Sequence, residues 1–288
     1  MSYHIAHQTA RRTSSFAVLI TFATLGGAAG TARAQDAVTS SRQSFTGLVG
    51  VGVAAMPTYR GSDEYRVLPV PVVQLEYRGR AYLGGSKTSM NPGVGAYLVR
   101  TPGLTWDVGL SGDIARPESR GDALAGMGRR SAASFATTGV AYRLGFAMAI
   151  AGAGVGLGND AGSYASVGVG TELPLARRWV GGISTGVTFA DARNMAFEFG
   201  VTSEQSATRQ TLRAAGDPRL RGIDVSAYAP GAGLKDVRGT ASLAYVLTQR
   251  SRVQLFAQGT RLSGEAARSP LVRARTGVVT GAVLAYGF

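Results

Sequence analysis

The chain has 288 residues, a formal net charge of +13, no cysteine and only two histidines. Forty-one residues are glycine and 16% are charged, which is typical of a glycine-rich β protein rather than of a disordered or helix-rich chain. Without cysteine the chain has no disulfide, no thiolate nucleophile and no Cys-ligated metal.

The N-terminal region has the pattern of a secretory signal peptide over residues 1–34. Arg11 and Arg12 precede an apolar stretch from 16 to 29, and Ala32 and Ala34 are small residues at the two positions that a signal peptidase reads. The apolar stretch is shorter than the roughly 20 residues of a bilayer-spanning helix. We therefore expect export by the general secretory route, with residues 35–288 as the mature domain.

Both histidines, His4 and His7, lie within the predicted signal peptide. The exported chain would then have neither imidazole nor thiol. Ser-His-Asp and Cys-His nucleophilic sites and His-ligated zinc are excluded by this inventory. We expect no catalytic residue, no metal and no cofactor.

The mature chain contains repeated segments in which apolar and small residues alternate. Ile183, Val187 and Phe189, for example, alternate with Ser184 and Gly186. Successive side chains of a strand leave opposite faces of the sheet, so one face suits lipid and the other a narrow interior. The sequence therefore predicts an all-β fold, a closed antiparallel transmembrane β-barrel.

The pattern predicts twelve strands whose connections alternate between short and long, as in outer-membrane barrels with short periplasmic turns and longer external loops. Ten and fourteen strands are the alternatives, because 89–92 could be a bulge rather than a reversal, and 191–235 could contain a further hairpin of 196–202 with 223–229. Residues 191–235 could also fold inward or cover the mouth of the barrel. The predicted strands are 45–55, 67–77, 80–88, 93–100, 104–115, 132–143, 147–157, 163–173, 179–190, 236–248, 252–262 and 277–288.

The last predicted strand ends with large residues at alternating positions, Leu284, Tyr286 and the terminal Phe288. This resembles the C-terminal signature of bacterial outer-membrane barrels. The resemblance implies that the barrel-assembly machinery recognises these three residues.

Five further segments resemble the MipA/OmpV family of Gram-negative outer-membrane proteins. The resemblance implies a structural role, in which the barrel holds together a lytic transglycosylase and a murein synthase that process peptidoglycan, and it brings no catalytic residue. The segments are MPTYRGSDEYRVLP at 56–69, FADARNM at 189–195, FGVT at 199–202, GAGLKDV at 231–237 and RLSGEAARSPLV at 261–272.

Two other patterns have simpler structural interpretations. The glycine pattern at 152–158 lacks the helix and distant acidic residue of a dinucleotide site, so its inward glycines are expected to let opposite walls of a small barrel approach. Asp63 and Glu64, between Arg60 and Arg66, are expected to form a mixed-charge external loop that pairs its own charges, with Tyr59 and Tyr65 beside it in the membrane interface.

Two predicted external loops contain more arginines than acidic residues. In an exported chain this excess favours anionic lipid over nucleic acid, because guanidinium groups match phosphate oxygens. A solvated loop is the alternative. The candidate lipopolysaccharide contacts are Arg116, Arg120, Arg129, Arg130, Arg268, Arg273 and Arg275.

These observations favour a non-enzymatic outer-membrane barrel that acts as a scaffold for murein-processing enzymes. A small-solute channel, or a gated transporter with 191–235 as its lid, is the alternative, because a barrel of about twelve strands can be filled or open. A lipid hydrolase is a weaker third hypothesis, since only carboxylates and the lysines Lys87 and Lys235 could then transfer protons.

Overall fold

A computed structural model describes residues 44–86, 88, 92–158 and 160–288 of the chain. The predicted signal peptide, with Ala32 and Ala34, lies outside the described residues, and so does Lys87.

The described residues form a barrel of twelve antiparallel strands, in which every strand pairs with its neighbour in sequence. The barrel closes between the first and last strands, where the Gly47 and Phe288 N–H groups donate to each other's carbonyl oxygen, both at 3.1 Å. Closure pairs the backbone groups that an open sheet edge would expose to lipid. The strands are β1 (Phe45–Pro57), β2 (Tyr65–Tyr77), β3 (Ala81–Leu83), β4 (Gly93–Arg100), β5 (Leu104–Asp113), β6 (Ala133–Leu144), β7 (Ala147–Gly156), β8 (Ser163–Ala176), β9 (Trp179–Ala190), β10 (Gly233–Val246), β11 (Ser251–Leu262) and β12 (Thr276–Gly287).

Two α-helices, α1 (Ala192–Phe199) and α2 (Ser203–Ala214), lie in the long connection between β9 and β10. Short 3₁₀ turns occur at Glu118–Arg120, Asp122–Leu124, Pro218–Leu220 and Ala266–Arg268. Among the described residues, neither α-helix has the length and apolar character needed to cross a bilayer.

The alternation of side chains agrees with the predicted faces of the barrel. Ile183 and Val167 point outward and are 64% and 54% exposed, while the inward Thr188 and Ser166 are buried. An apolar surface that would be costly in water is expected on the lipid-facing wall of a barrel. The prediction of a closed antiparallel barrel is confirmed.

The connections alternate between the two ends as predicted. Five connections of two to four residues lie at one end, at 78–80, 101–103, 145–146, 177–178 and 247–250. The long connections all lie at the other end, at 58–64, 84–92, 114–132, 157–162, 191–232 and 263–275. Because outer-membrane barrels keep their short turns in the periplasm, the first end is periplasmic and the second external.

The twelve-strand prediction is confirmed, and the ten- and fourteen-strand alternatives are wrong. The chain reverses between β3 and β4, which pair antiparallel, although residues 89–91 of the segment 89–92 lie outside the described residues. The proposed hairpin of 196–202 with 223–229 is reduced to one bridge between Val201 and Tyr228. Helix α1, which continues to Phe199, takes the place of the first half of its first strand.

The largest boundary error concerns β3, which was predicted over 80–88 but spans only Ala81–Leu83. Gly84 and Gly85 have φ angles of +96° and +144°, a conformation that glycine tolerates and that turns the chain out of the wall. A Cβ atom at Gly84 would also overlap the Val73 carbonyl oxygen.

The short β3 leaves the external half of β2 without a strand partner on one side among the described residues. The Thr58 N–H donates to the Glu64 carbonyl at the start of this strand pair. Because hydrogen-bonded pairs alternate along an antiparallel ladder, the even-numbered residues of β2 direct their backbone N–H and C=O groups toward β1, and the odd-numbered residues direct theirs away from it. The nitrogens of Pro69 and Pro71 therefore face the unpaired side. Proline has no N–H to leave unsatisfied, which suits it to an edge.

The interior of the barrel is largely filled by side chains. An apolar cluster lies on the inner faces of β1, β2, β11 and β12, and includes Val70, Phe256 and Val283. On the facing wall, a Cβ atom at Gly139 would lie 2.6 Å from Thr88 Cβ. An inward glycine thus makes room for the segment after β3. The glycine pattern at 152–158 begins within β7 and does not lead into a helix.

Candidate functional site

The external mouth of the barrel is covered by a cap made of the connections 58–64, 114–132, 191–232 and 263–275. Apolar side chains from all four meet in one buried cluster. Because residues far apart in sequence share this core, burial of its apolar surface stabilises the loops as one body. Its buried members are Tyr59, Ala123, Leu124, Ala125, Met127, Val201, Leu220, Ile223, Val225 and Leu271.

Local sequence signals begin both helices of the cap. The Asp191 side chain accepts a hydrogen bond from the Asn194 N–H at 2.7 Å, which starts α1. Thr202 and Gln205 form a reciprocal capping box at the start of α2. The buried Met195 and Phe199 of α1 then pack with Ala190, Leu262 and Ala266 at the top of the barrel wall.

Four charged residues join the cap to the barrel, and we call them the mouth ion cluster: Arg60, Glu198, Lys235 and Asp236. Arg60 Nε lies 3.2 Å from Glu198 Oε2, and Arg60 Nη1 lies 2.9 Å from Asp236 Oδ2. Lys235 Nζ lies 2.9 Å from Glu198 Oε1. The cluster links the first external loop, helix α1 and the external end of β10.

The mouth ion cluster is shielded from water to different degrees. The side chains of Asp236 and Lys235 are 1% and 5% exposed, whereas that of Arg60 is 46% exposed. Burial raises the pKa of Glu198, but the nearby Arg60 and Lys235 charges lower it more, to about 2. Glu198 is therefore ionised at neutral pH and stabilises the cluster.

Neutral groups complete the hydrogen bonding of the cluster. Lys235 Nζ donates to Asn194 Oδ1 at 2.9 Å, and the Thr188 hydroxyl donates to Asp236 Oδ1 at 3.0 Å. Arg238 also donates to the Thr188 hydroxyl. A cavity of about 80 Å³ lies beside these groups. It is lined by Arg60, Asp113, Phe135, Tyr164, Thr188, Asn194, Glu198, Lys235 and Arg238.

The loop at 58–64 differs from its predicted arrangement. Arg60 pairs with the distant Glu198 and Asp236 rather than with Asp63 or Glu64, so the prediction that the loop pairs its own charges is wrong. Tyr59 is buried in the cap and donates to the Leu271 carbonyl at 3.0 Å, so it does not lie in the membrane interface. Burial in the cap raises the pKa of Tyr59 to about 12.

The seven candidate lipopolysaccharide contacts fall into two groups. Arg129, Arg268, Arg273 and Arg275 are exposed, and Arg120 is partly exposed. Arg116 instead donates to the Glu198 carbonyl at 2.9 Å, and burial followed by the nearby Arg130 lowers its pKa to about 10. Lipid contact by this set stays a prediction.

Arg130, the other inward-turned member of the set, has a role inside the cap. Arg130 Nη2 lies 2.8 Å from Asp113 Oδ2, and its Cζ lies 4.4 Å from the centre of the Phe197 ring. It therefore links the end of β5 to helix α1 by an ion pair and a cation–π contact.

The C-terminal residues proposed as an assembly signal lie at the closing strand pair. Leu284, Tyr286 and Phe288 all point outward and are 51%, 44% and 43% exposed. Their recognition by the assembly machinery stays a prediction.

A second polar group lies inside the wall, around the buried Asp107. Its carboxylate accepts hydrogen bonds from Tyr82 at 3.2 Å and Ser86 at 2.7 Å, and from the Thr88 hydroxyl. These contacts hold the segment after β3 against the inner face of β5. Among the described residues, no group of His, Cys, Asp and Glu is arranged to hold a metal ion.

Sequence reasoning did not single out Glu198 or Asp236, and Lys235 was considered only as a proton-transfer group. No spacing rule connects positions that meet only when the loops fold together. The segments that carry the family resemblance do contain Arg60, Asn194, Lys235 and Asp236, so resemblance was the available signal.

Similarity to a known protein family covers most of this chain. The family model described as MltA-interacting protein MipA matches residues 49–288. No curated protein sequence is matched by this chain.

Several solved outer-membrane proteins are similar in fold. OprB of Pseudomonas putida is 8% identical, covers 85% of this chain and 94% of its own, and has a TM-score of 0.41. OmpT of Vibrio cholerae is 8% identical, with coverages of 85% and 96% and a TM-score of 0.37. An anion-selective porin from Comamonas acidovorans is 10% identical, with coverages of 85% and 98% and a TM-score of 0.36.

Proposed function

Because the chain belongs to the MltA-interacting protein family MipA, we propose that this outer-membrane barrel is a scaffold that holds a murein hydrolase, and with it a murein synthase, at its periplasmic end. The observation that supports a scaffold most is the cap. A buried apolar cluster and the mouth ion cluster fasten four loops over the external mouth. A barrel closed in this way is suited to hold a partner rather than to conduct solutes.

The periplasmic end offers a place for such a partner. A groove of about 630 Å³ lies between the turns at 101–103 and 145–146. Arg100, Pro102, Arg143 and Met148 are among its lining residues. Short turns present little area, so we expect weak and transient binding.

Co-purification from native outer membranes tests the scaffold. We expect a murein hydrolase to be recovered with the wild-type barrel, and its recovery to fall with Gly103→Trp, because no atom lies within 4 Å of a Cβ at Gly103 and the indole would fill the groove. Gly231→Trp, at an equally open external position, is the matched control. Equal recovery of the hydrolase with both variants would show that the groove is not the binding site. No recovery with the wild-type barrel would reject the scaffold function.

A gated channel is the second candidate, favoured by the polar cavity between the cap and the wall. Planar-bilayer recording separates the two functions. A silent wild-type barrel supports the scaffold. A steady current through wild type that widens when 196–229 is deleted supports a channel with the cap as its lid.

The lipid-facing C-terminal side chains are proposed as the signal for the barrel-assembly machinery. Phe288→Ala should lower the amount of barrel in the outer membrane, because the signature loses its terminal aromatic ring. Phe146→Ala, which removes a 79% exposed aromatic from a periplasmic turn, is the control. Equal assembly of the two variants would count against the signal.

A further inference from the structure

The periplasmic turns contain a concentration of arginine of which only Arg143 lines the proposed scaffold groove. Six exposed arginines lie in or beside four of the five short turns, and those five turns contain no acidic residue. We call them the periplasmic arginine ring: Arg78, Arg80, Arg143, Arg177, Arg178 and Arg250.

Within the described residues, no carboxylate neutralises the ring. None of its six arginines forms an ion pair with a carboxylate in the described part of the chain, whereas the nearby Arg100 pairs with Glu76 at 2.7 Å. At the external end, by contrast, Arg60, Arg130 and Arg268 are each paired with an acidic residue. Further external arginines, such as Arg129 and Arg275, have no ion pair, but they share their loops with acidic residues. The short periplasmic turns present only positive charge.

The ring lies directly beside a belt of lipid-facing aromatic side chains. Arg78 Cζ lies 5.2 Å from the centre of the Tyr77 ring, and Arg250 donates to the Tyr286 hydroxyl at 3.3 Å. Trp179 follows Arg178, and the centre of its ring lies 4.7 Å from that of Tyr245. Such aromatic belts mark the membrane–water interface, where lipid phosphates lie.

The position of the ring favours lipid as its partner. Its arginines lie beside the lipid-facing Tyr77, Trp179 and Tyr286, in the interface where lipid phosphates lie. A membrane leaflet surrounds the whole barrel and so reaches every one of these turns.

We propose that the periplasmic arginine ring binds the phosphate groups of anionic phospholipids in the leaflet that faces the periplasm. Each planar guanidinium donates a fork of N–H groups that matches phosphate oxygens. The barrel would thereby collect anionic lipid around its periplasmic rim. This inference does not depend on a murein partner.

The test uses the processed, full-length barrel in nanodiscs made from equal amounts of phosphatidylglycerol and phosphatidylcholine. Mass spectrometry of the released protein measures the ratio of the two lipids that stay bound. We expect wild type to retain phosphatidylglycerol in excess, with roughly a fivefold preference contributed by each basic side chain near the surface. The variant R78Q/R80Q/R143Q/R177Q/R178Q/R250Q should lose that excess.

The control R193Q/R213Q/R221Q/R261Q removes four exposed arginines outside the ring and should retain the excess, whereas R78Q/R80Q/R177Q/R178Q, which removes the same charge from the ring, should lose most of it. If wild type shows no excess, or if both variants lose it equally, the proposal is wrong. A ring variant that keeps its phosphatidylglycerol but no longer recovers a murein hydrolase would also overturn it, in favour of a protein partner. If the sixfold variant does not fold, R177Q/R178Q should still show a partial loss, and an unchanged ratio in that pair overturns the proposal.

Discussion

Arg60 Nη1 lies 2.9 Å from Asp236 Oδ2, although the two residues are 176 positions apart in the chain. The contact fastens the first external loop to the start of β10, and Glu198 of α1 binds the same guanidinium at 3.2 Å. Three distant segments therefore share one set of charges. Removing one partner leaves the others charged, partly buried and uncompensated.

The substitution Glu198→Gln should loosen the cap. It removes the ion pairs with Arg60 and Lys235, at a cost of about 1 to 4 kcal/mol for a largely buried site. Trypsin should then cleave at the exposed Arg213 and Arg221 about tenfold faster or more, as each 1.4 kcal/mol corresponds to a factor of ten. Glu204→Gln, at an exposed position on α2, is the control. Equal cleavage of the two variants would show that the cluster does not hold the cap.

Acid should open the cap in a defined pH range. The pKa of Glu198 is about 2 in the folded protein and 4.5 in its ordinary state, so its stabilisation is fully present above about pH 4.5 and is lost as the pH falls toward 2. A difference of that size is on the order of 3 kcal/mol. Because the chain has no cysteine of its own, cysteines introduced at Arg213 and Arg261 can each carry a nitroxide label. The distance between the two labels then reports the position of α2 relative to β11.

The distance distribution between those labels should be the same at pH 7 and pH 5 and should broaden below about pH 4.5. Glu198→Gln should remove this pH dependence. If the distance distribution of Glu198→Gln also broadens below about pH 4.5, a group other than Glu198 is responsible for the acid opening.

Arg209 should stabilise the cap without an acidic partner. Its side chain is fully buried and donates to the Ala123 carbonyl at 2.7 Å and the Asp224 carbonyl at 3.0 Å. Arg209→Met leaves both carbonyls without these donors, which costs about 1 to 3 kcal/mol each when the group stays buried. Hydrogen exchange of α2 should become faster, while that of the strands is unchanged. Arg213→Met, on the exposed face of α2, is the control and should leave the hydrogen exchange of α2 as in wild type. If Arg209→Met also leaves that exchange unchanged, the two hydrogen bonds of Arg209 do not stabilise the cap.

Gly139 should tolerate no side chain while Thr88 occupies the interior. A methyl group at Gly139 would lie 2.6 Å from Thr88 Cβ, and overpacking of this kind costs about 1 to 3 kcal/mol. We expect Gly139→Ala to lower the melting temperature of the barrel, and Thr88→Gly to restore it. Gly259→Ala, where no atom lies within 4 Å of the added carbon, is the control. A melting temperature equal to that of the control would contradict the close approach.

The predicted lipopolysaccharide contacts can be divided by exposure. Replacing the four exposed arginines, Arg129, Arg268, Arg273 and Arg275, with Gln should reduce the rise in melting temperature that added lipopolysaccharide produces, because phosphate oxygens lose their donors. Replacing Arg116 and Arg130 should instead lower the melting temperature in detergent alone, since these two contact Glu198, Asp113 and Phe197. An undiminished lipopolysaccharide effect after all seven replacements would reject lipid contact.

The sequence by itself determined the barrel, because period-two alternation and alternating loop lengths are local patterns that a closed sheet in a membrane requires. Strand positions such as 93–100 and 179–190 could be predicted to the residue. The extent of β3 could not, because the chain leaves the wall at Gly84 and Gly85, which have positive φ angles, and Ser86 and Thr88 then hydrogen-bond to Asp107.

Only the tertiary structure decided what the long connections do. The sequence leaves residues 191–235 open to interpretation as a lid, a plug or a hidden hairpin, since Asp191 and Thr202 mark helix starts only when their side chains bond back to the backbone. Arg60, Glu198 and Asp236 have no mutual spacing that local physics could detect. These residues meet only when the loops fold over the mouth of the barrel. Because a buried charge without a partner is costly there, the folded cap favours the one arrangement in which each charge is paired.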